Sequence, residues 1–209
     1  MKDILEKLTL YDFLGYAFPG SIVVLTLVFC CGNVAFWKAY KDLLPYITFA
    51  AGILSYLSGL LLSEATAEIQ LLFKEKALQK EFEEWSDERT FIAAAIKKHR
   101  NDSNPVEINN VKHWEKCMKY MYSAVQIAPE TKRVHNYAST EVMCRNLSLA
   151  CLVSGVILSI RFSWYVVLAV LPFALLMKKR AKRFGQKKRA YTIYWFLQNG
   201  RLTQTNNGN

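Results

Sequence analysis

Four apolar segments follow one another in a chain of only 209 residues, and they constrain the fold more than any other feature. They cover residues 18–37, 46–67, 143–160 and 162–177. A helix that crosses the hydrocarbon core of a bilayer needs about 17–25 apolar residues, and the first three segments have that length. The fourth is shorter and can still cross if Arg161 and Lys178 extend to opposite surfaces. We therefore predict an all-α integral membrane protein with four transmembrane helices arranged as two hairpins.

The interior of a soluble protein is the alternative environment for such segments. A soluble protein of 24.0 kDa can bury one or two apolar helices of this length, but it hardly has room for four. The mean hydropathy of the whole chain is only +0.07 because the hydrophilic residues are concentrated between positions 68 and 142. Membrane spans therefore remain the better interpretation.

The N-terminal stretch differs from the spans because it mixes apolar and charged side chains. Residues 3–17 have the pattern of a short amphipathic helix that lies at the membrane interface. Pro19 and Gly20 follow it and predict a break before the first span, since proline is well placed at the start of a new helix.

The positive charge of the chain is concentrated at its C-terminal end. The net charge is +10, and residues 178–209 contain nine basic and no acidic residues. Lysine and arginine near a span favour the cytoplasmic side. We divide the chain into an interfacial helix with a transmembrane hairpin, a helical cytoplasmic region, a second hairpin and a basic cytoplasmic tail, at 1–67, 68–142, 143–177 and 178–209. Both termini are then cytoplasmic in a multi-pass protein.

Eight basic residues make up the first part of this tail. They are Lys178, Lys179, Arg180, Lys182, Arg183, Lys187, Lys188 and Arg189. They can enforce the topology next to the fourth span, bind anionic lipid head groups, or bind RNA with the aromatic residues at 191–196 as stacking partners. The sequence leaves these three interpretations open.

Small residues recur at every fourth position along the second apolar segment. Ala51, Ser55, Gly59, Ser63 and Ala67 form a stripe that allows two helix backbones to approach closely. Its partner is either the first span or a helix of another copy. The polar positions of the first two spans are the candidates for lining a pore or packing at its wall: Thr26, Asn33, Ser55, Ser58, Gly59, Ser63 and Glu64.

The region between the hairpins has the pattern of an all-helical unit. The second span is expected to continue into it as one long helix, followed by helices at 91–99 and 111–128 and by a segment at 130–140 that leads into the third span. A region of about 75 residues is near the lower limit for an independent core, so packing between copies would help to stabilise it. We expect a homo-oligomer.

No motif for a catalytic or cofactor site is present. The chain has no phosphate-binding glycine loop, zinc-binding histidine pair or nucleophile motif. Its five cysteines have no metal-ligand spacing. We therefore predict a protein that is not an enzyme and has no cofactor, metal or small-molecule substrate.

Residues 8–20, LTLYDFLGYAFPG, resemble the N-terminal signature of small bacterial membrane proteins from antiviral defence loci. The whole layout is similar to the membrane accessory proteins of type VI-B CRISPR systems. This resemblance implies a divergent HEPN-like helical region, a location in the bacterial inner membrane, and a homo-oligomeric pore that depolarises the membrane when a neighbouring RNA-guided RNase is activated. A catalytic HEPN site needs arginine followed by histidine after four to six residues, and this chain lacks that spacing. His135 and Arg145 are the nearest candidates.

The first hypothesis is therefore a pore-forming membrane effector that works with itself, membrane lipid and an RNA-guided RNase. The second is a membrane-tethered RNA-binding protein or HEPN-like RNase. The third is a non-conducting membrane scaffold for another complex.

Overall fold

The computed structural model describes residues 13–31, 41–100, 106–127 and 132–205, and helices dominate every part of them. The helices are α1 (Phe18–Cys31), α2 (Leu44–Glu84), α3 (Arg89–Arg100), α4 (Val111–Ile127), α5 (Lys132–Arg161) and α6 (Tyr165–Thr205). A π-helical turn precedes α1, and a short 3-10 turn precedes α2. No strand occurs in the described part of the chain, so the all-α prediction is confirmed there.

The start of the first span differs from the prediction. The π-helical turn at Phe13–Ala17 continues into α1 without a gap, so the predicted break at Pro19-Gly20 is wrong. Pro19 is the second residue of α1, and it has no N–H group to donate to a carbonyl of the preceding turn. Most of the predicted interfacial helix at 3–17, and the end of the first apolar segment, lie outside the described residues.

Helix α2 is much longer than the apolar segment from which it was predicted. It has 41 residues, and the predicted continuation of the second span is confirmed as far as Glu84. The backbone N–H of Trp85 still donates to the carbonyl of Glu81 at 3.1 Å, and a turn then leads into α3.

Within the described ranges, two helices are long and apolar enough to cross a membrane. They are α2 and α5. Helix α1 belongs to a shorter apolar helix, Gly15–Cys31. The fourth apolar segment does not begin at Phe162 as predicted, because residues 162–164 form the turn between α5 and α6. The helical apolar stretch of α6 therefore runs only from Tyr165 to Met177.

The described residues fall into two compact units. The first takes its residues from Met1–Ile69 and Ala138–Gly185, and the second takes its residues from Gln70–Tyr137 and Gln186–Asn209. Helices α2, α5 and α6 each contribute residues to both units.

Helices α5 and α6 run antiparallel in the first unit. The hydroxyl of Ser148 donates to the carbonyl of Ala174 at 2.8 Å, whereas Gly155, two turns further along α5, faces Val170. Buried side chains from α1, α2, α5 and α6 form two small apolar clusters: Val23, Leu62 and Ala150, and Leu147, Cys151 and Ala174.

The second unit packs α3, α4, the end of α2 and the end of α6 around one core. The helices predicted at 91–99 and 111–128 are confirmed as α3 and α4. The apolar face of α4 is buried at Trp114, Cys117, Met121 and Val125. Helix α6 adds Ile193 and Phe196 to this core, so the C-terminal segment is a folded helix rather than a separate tail.

Candidate functional site

A close helix contact in the first unit lies between α1, its preceding turn and α2. A β-carbon on Gly20 would stand 1.8 Å from the carbonyl oxygen of Ser55, and one on Gly59 would stand 1.9 Å from the carbonyl oxygen of Tyr16. Contacts this short are available only to glycine. Because increasing numbers on one element meet decreasing numbers on the other, the two elements are antiparallel. The stripe on α2 therefore packs against the first apolar segment of the same chain.

Two hydroxyls that were candidates for lining a pore are used within their own helices. Thr26 donates to the carbonyl of Ile22, and Ser55 donates to the carbonyl of Ala51, each at 2.7 Å. Such bonds satisfy a hydroxyl inside an apolar environment. Ser55 is also buried, so its side chain does not face open space in a single copy.

The other candidate lining residues differ in exposure. Ser58 and Ser63 are half-buried on α2, Gly59 is buried at the α1 contact, and Glu64 is exposed. Asn33 lies outside the described residues. Glu64 is thus the candidate that presents a charged group at the surface of one copy.

A buried asparagine joins three elements of the first unit. Asn146 on α5 has no exposed surface, and its amide nitrogen donates to the carbonyl of Gly15 at 3.0 Å. Its oxygen accepts from the hydroxyl of Thr66 on α2 at 2.9 Å, with the carbonyl of Ser63 as a second acceptor for that hydroxyl at the same distance. The structure thus provides polar partners where an unpartnered group would be costly. The sequence prediction did not include Asn146.

The two residues closest to an RNase pattern are not brought together. His135 is exposed near the start of α5, and Arg145 is half-buried further along the same helix. Ten positions on a helix correspond to about 15 Å along its axis, beyond hydrogen-bond reach. Arg145 lies within electrostatic range of Glu141, Tyr16 and Glu64.

The predicted basic residues of α6 fall into two groups. Six of them are exposed: Lys178, Lys179, Arg180, Lys182, Arg183 and Lys187. Lys188 and Arg189 are half-buried in the second unit. The Nζ of Lys188 lies 5.7 Å from the centre of the Tyr122 ring.

A partly buried ion pair joins α2 to α6 in the second unit. The guanidinium of Arg189 donates to Glu81 Oε2, while Glu81 Oε1 has no hydrogen-bond partner among the described residues. Burial raises the pKa of Glu81, and the nearby Arg189 only partly offsets this effect. Glu81 is therefore a carboxylate whose charged form is disfavoured by its surroundings.

The second unit also has an aromatic cluster and an open groove. Nδ1 of His99 lies 2.7 Å from the hydroxyl of Tyr120, and the His99 ring packs against Phe196. The groove, of about 770 Å³, is lined mainly by lysine and glutamate side chains of α2 and α4. No group of three His, Cys, Asp or Glu side chains that could hold a metal occurs in the described ranges.

Comparisons of the chain with protein-family models, with curated proteins and with solved structures find no match.

Proposed function

We propose that this protein is a non-enzymatic membrane effector whose copies assemble into an ion-conducting pore. The observation that carries the proposal is the exposure of α2: only 17% of its most apolar window is buried within the chain, against 44% for α5. A core helix of a soluble protein would be mostly buried, because exposed apolar surface is unfavourable in water. Lipid and further copies of the chain are the environments that suit this surface.

The proposed topology has four spans in two hairpins, with both termini in the cytoplasm of a bacterial cell. It is supported by the residue types at the two ends of α6. Phe162, Trp164 and Tyr165 are exposed at the turn that precedes the helix, and aromatic residues favour the membrane interface. Lys178 and the cations after it follow the apolar stretch, and they favour the cytoplasmic side. The apolar part of α6 is short, so these cations must extend to reach the surface.

The proposed ion path lies between copies rather than within one copy. The α1–α2 contact is closed by backbone approach at Gly20 and Gly59, which leaves no channel at that interface. Glu64 is exposed only a few residues before the end of the second apolar segment. Arg145 of the same copy lies within electrostatic range of Glu64 and offsets part of the cost of a carboxylate near lipid, and a water-filled path between copies would remove the remainder. A closed ring of copies is the arrangement that supplies such a path.

In this proposal, the pore opens when a protein partner binds to the second unit. Its groove offers a surface of mixed charge to a protein partner. Because α2, α5 and α6 contribute residues to both units, binding there can bias the spans. The sequence resemblance supplies the candidate partner, an RNA-guided RNase of an antiviral defence system.

The test measures membrane potential with a voltage-sensitive dye in bacteria that contain the protein and an activatable RNase partner. We expect depolarisation only when both are present and the RNase is activated. Gly59→Leu should abolish the signal because it forces α1 from α2, while Gly52→Leu, on the open side of the same helix, should retain it. A potential that stays unchanged with the activated partner present would eliminate the pore proposal.

A membrane-tethered RNA-binding protein is the second candidate function. It is favoured by Tyr191 and Tyr194, which are exposed on α6 beyond its cations and could stack on bases. Binding of single-stranded RNA that weakens steeply with salt, and that is lost when both tyrosines are changed to alanine, would support it.

A further inference from the structure

Five cations occupy six consecutive positions on α6. We name this set the α6 basic cluster: Lys178, Lys179, Arg180, Lys182 and Arg183. All five side chains are exposed, and all belong to the first unit. The cluster extends about 9 Å along the helix axis, which is similar to the depth of one head-group layer of a bilayer.

The protein fixes the direction in which the cluster faces. Ala174, Ala181 and Gly185 are buried on one side of α6, so this side is held against the rest of the unit. The Arg180 guanidinium lies over the Phe184 ring, 5.7 Å from its centre. Lys179 and Arg183, on the side away from these three residues, therefore face outward without any rearrangement of the helix, and Lys178 and Lys182 are exposed at the margin of the packed side.

Two pairs within the cluster are spaced four residues apart. Lys178 lies four residues before Lys182, and Lys179 lies four residues before Arg183. The two β-carbons in each set are therefore about 5–6 Å apart. Like charges at this spacing destabilise a helix unless an anion lies between them. Four neighbouring cations thus form a surface that suits a phosphate group.

The protein supplies no anion for this surface within the part of the chain that the structure describes. Helix α6 contains no acidic residue. None of Lys178, Lys179, Lys182 and Arg183 forms an ion pair with another described residue. The carboxylate of Glu141 comes near this stretch of α6, but it lies against Gly185 on the buried side. No described residue of the chain therefore neutralises these four cations, which are available to an external anion.

The position of the cluster indicates the source of that anion. Leu175 and Leu176 are exposed within three residues of Lys178, so an exposed apolar surface ends close to the start of the cluster. We propose that the α6 basic cluster binds the phosphate head groups of anionic lipids. This inference rests on the proposed membrane location of the first unit. Lipid is favoured over RNA because the cations directly adjoin an apolar surface.

The test compares the full-length protein reconstituted in bilayer discs of phosphatidylcholine alone with discs that also contain phosphatidylglycerol. Native mass spectrometry counts the anionic lipids that each protein retains. The cluster variant changes Lys178, Lys179, Lys182 and Arg183 to glutamine. The matched control changes Lys97, Lys98, Lys116 and Arg133, which are exposed in the second unit, to glutamine, so both variants lose the same charge.

We expect the preference for anionic over neutral lipid to fall at least about tenfold in the cluster variant and to stay unchanged in the control. The preference of the wild type should also decrease as salt is raised, because the charges are exposed. This second measurement needs no variant and remains decisive if the cluster variant fails to fold. An undiminished preference in a folded cluster variant, or a salt-independent preference in the wild type, would overturn the inference.

Three other outcomes identify different failures. If the cluster variant loses RNA binding while its lipid preference stays intact, the ligand is nucleic acid and the inference is wrong. If the wild type itself does not enter the discs, the proposed membrane function fails, and the inference fails with it. If the protein enters the discs and prefers anionic lipid but conducts no ions, only the pore proposal fails.

Discussion

The carbonyl oxygen of Tyr16 lies directly over Gly59, 1.9 Å from the position that a β-carbon would occupy there. Gly59→Ala must therefore push the turn before α1 away from α2. We expect the free energy of unfolding to fall by about 1–3 kcal/mol, the usual cost of forcing extra volume into a packed contact. Thermal unfolding of the detergent-solubilised protein, followed by circular dichroism, measures this loss.

Gly52 provides the control for this prediction because it lies on the same helix with nothing within 4 Å of its β-carbon position. Gly52→Ala should leave the stability unchanged or raise it by up to about 1 kcal/mol, since alanine favours helix more than glycine does. If Gly52→Ala and Gly59→Ala reduce the free energy of unfolding equally, the close contact between Gly59 and Tyr16 is not the cause of the loss.

The hydrogen bond between Thr66 and Asn146 should contribute measurably to the stability of the first unit. A double-mutant cycle with Thr66→Val and Asn146→Ala isolates their interaction. Side-chain hydrogen bonds between membrane helices average about 0.6 kcal/mol and reach about 1.7 kcal/mol. We expect a coupling energy in that range, with the larger single effect at Asn146 because it also donates to Gly15.

Ser154 is the matched control for that cycle. It is also buried on α5, but its hydroxyl has no hydrogen-bond partner among the described residues. Ser154→Ala should therefore be neutral or slightly stabilising, because it removes a polar group that is buried without compensation. A coupling energy near zero between Thr66 and Asn146 would show that the hydrogen bond between these side chains does not stabilise the first unit.

The contrast between Asn146 and the neighbouring helices illustrates what the sequence can predict. The length of α2 follows from a hydrophobic pattern that continues past the apolar segment. The partners of Asn146 lie 80 and 131 residues away in the chain, and no local pattern identifies such contacts. The charge of residues 178–209 predicts a basic tail, although Ile193 and Phe196 have the spacing of a buried helix face.

The unfolding free energy of the second unit should depend on pH through Glu81. Its pKa is raised above the ordinary value of 4.5 by burial, so the folded chain holds this proton more tightly than the unfolded chain. The stabilising contribution is complete below pH 4.5 and is lost as the pH rises through the folded pKa. Glu81→Gln should remove this decline. Arg189→Met should weaken the unit at neutral pH by about 1–3 kcal/mol, because it leaves a buried acceptor without its donor.

Glu115 should make the free energy of unfolding depend on pH in the opposite direction to Glu81. Hydrogen bonds from Lys74 and then Lys119 lower the pKa of Glu115. The stabilisation that Glu115 contributes to the folded chain is therefore present above its ordinary pKa and is lost as the pH falls through its pKa in the folded chain. The two lysines are largely exposed, so we expect no more than about 0.2–1 kcal/mol from each pair. Tryptophan fluorescence of Glu81→Gln and Glu115→Gln against pH separates the two effects, and parallel curves for both variants would refute the assignment.

Leu57 and Leu72 provide the sharpest test of which part of α2 lies in lipid. Both leucines are exposed on the same helix, Leu57 near the middle of the second apolar segment and Leu72 in the second unit. An arginine at the centre of a span costs about 2.5–3.5 kcal/mol in membrane insertion. Leu57→Arg should therefore reduce the membrane-inserted fraction, measured by alkaline extraction of isolated membranes, while Leu72→Arg should leave it unchanged. If both variants insert as well as the wild type, the exposed apolar surface around Leu57 does not contact the lipid core.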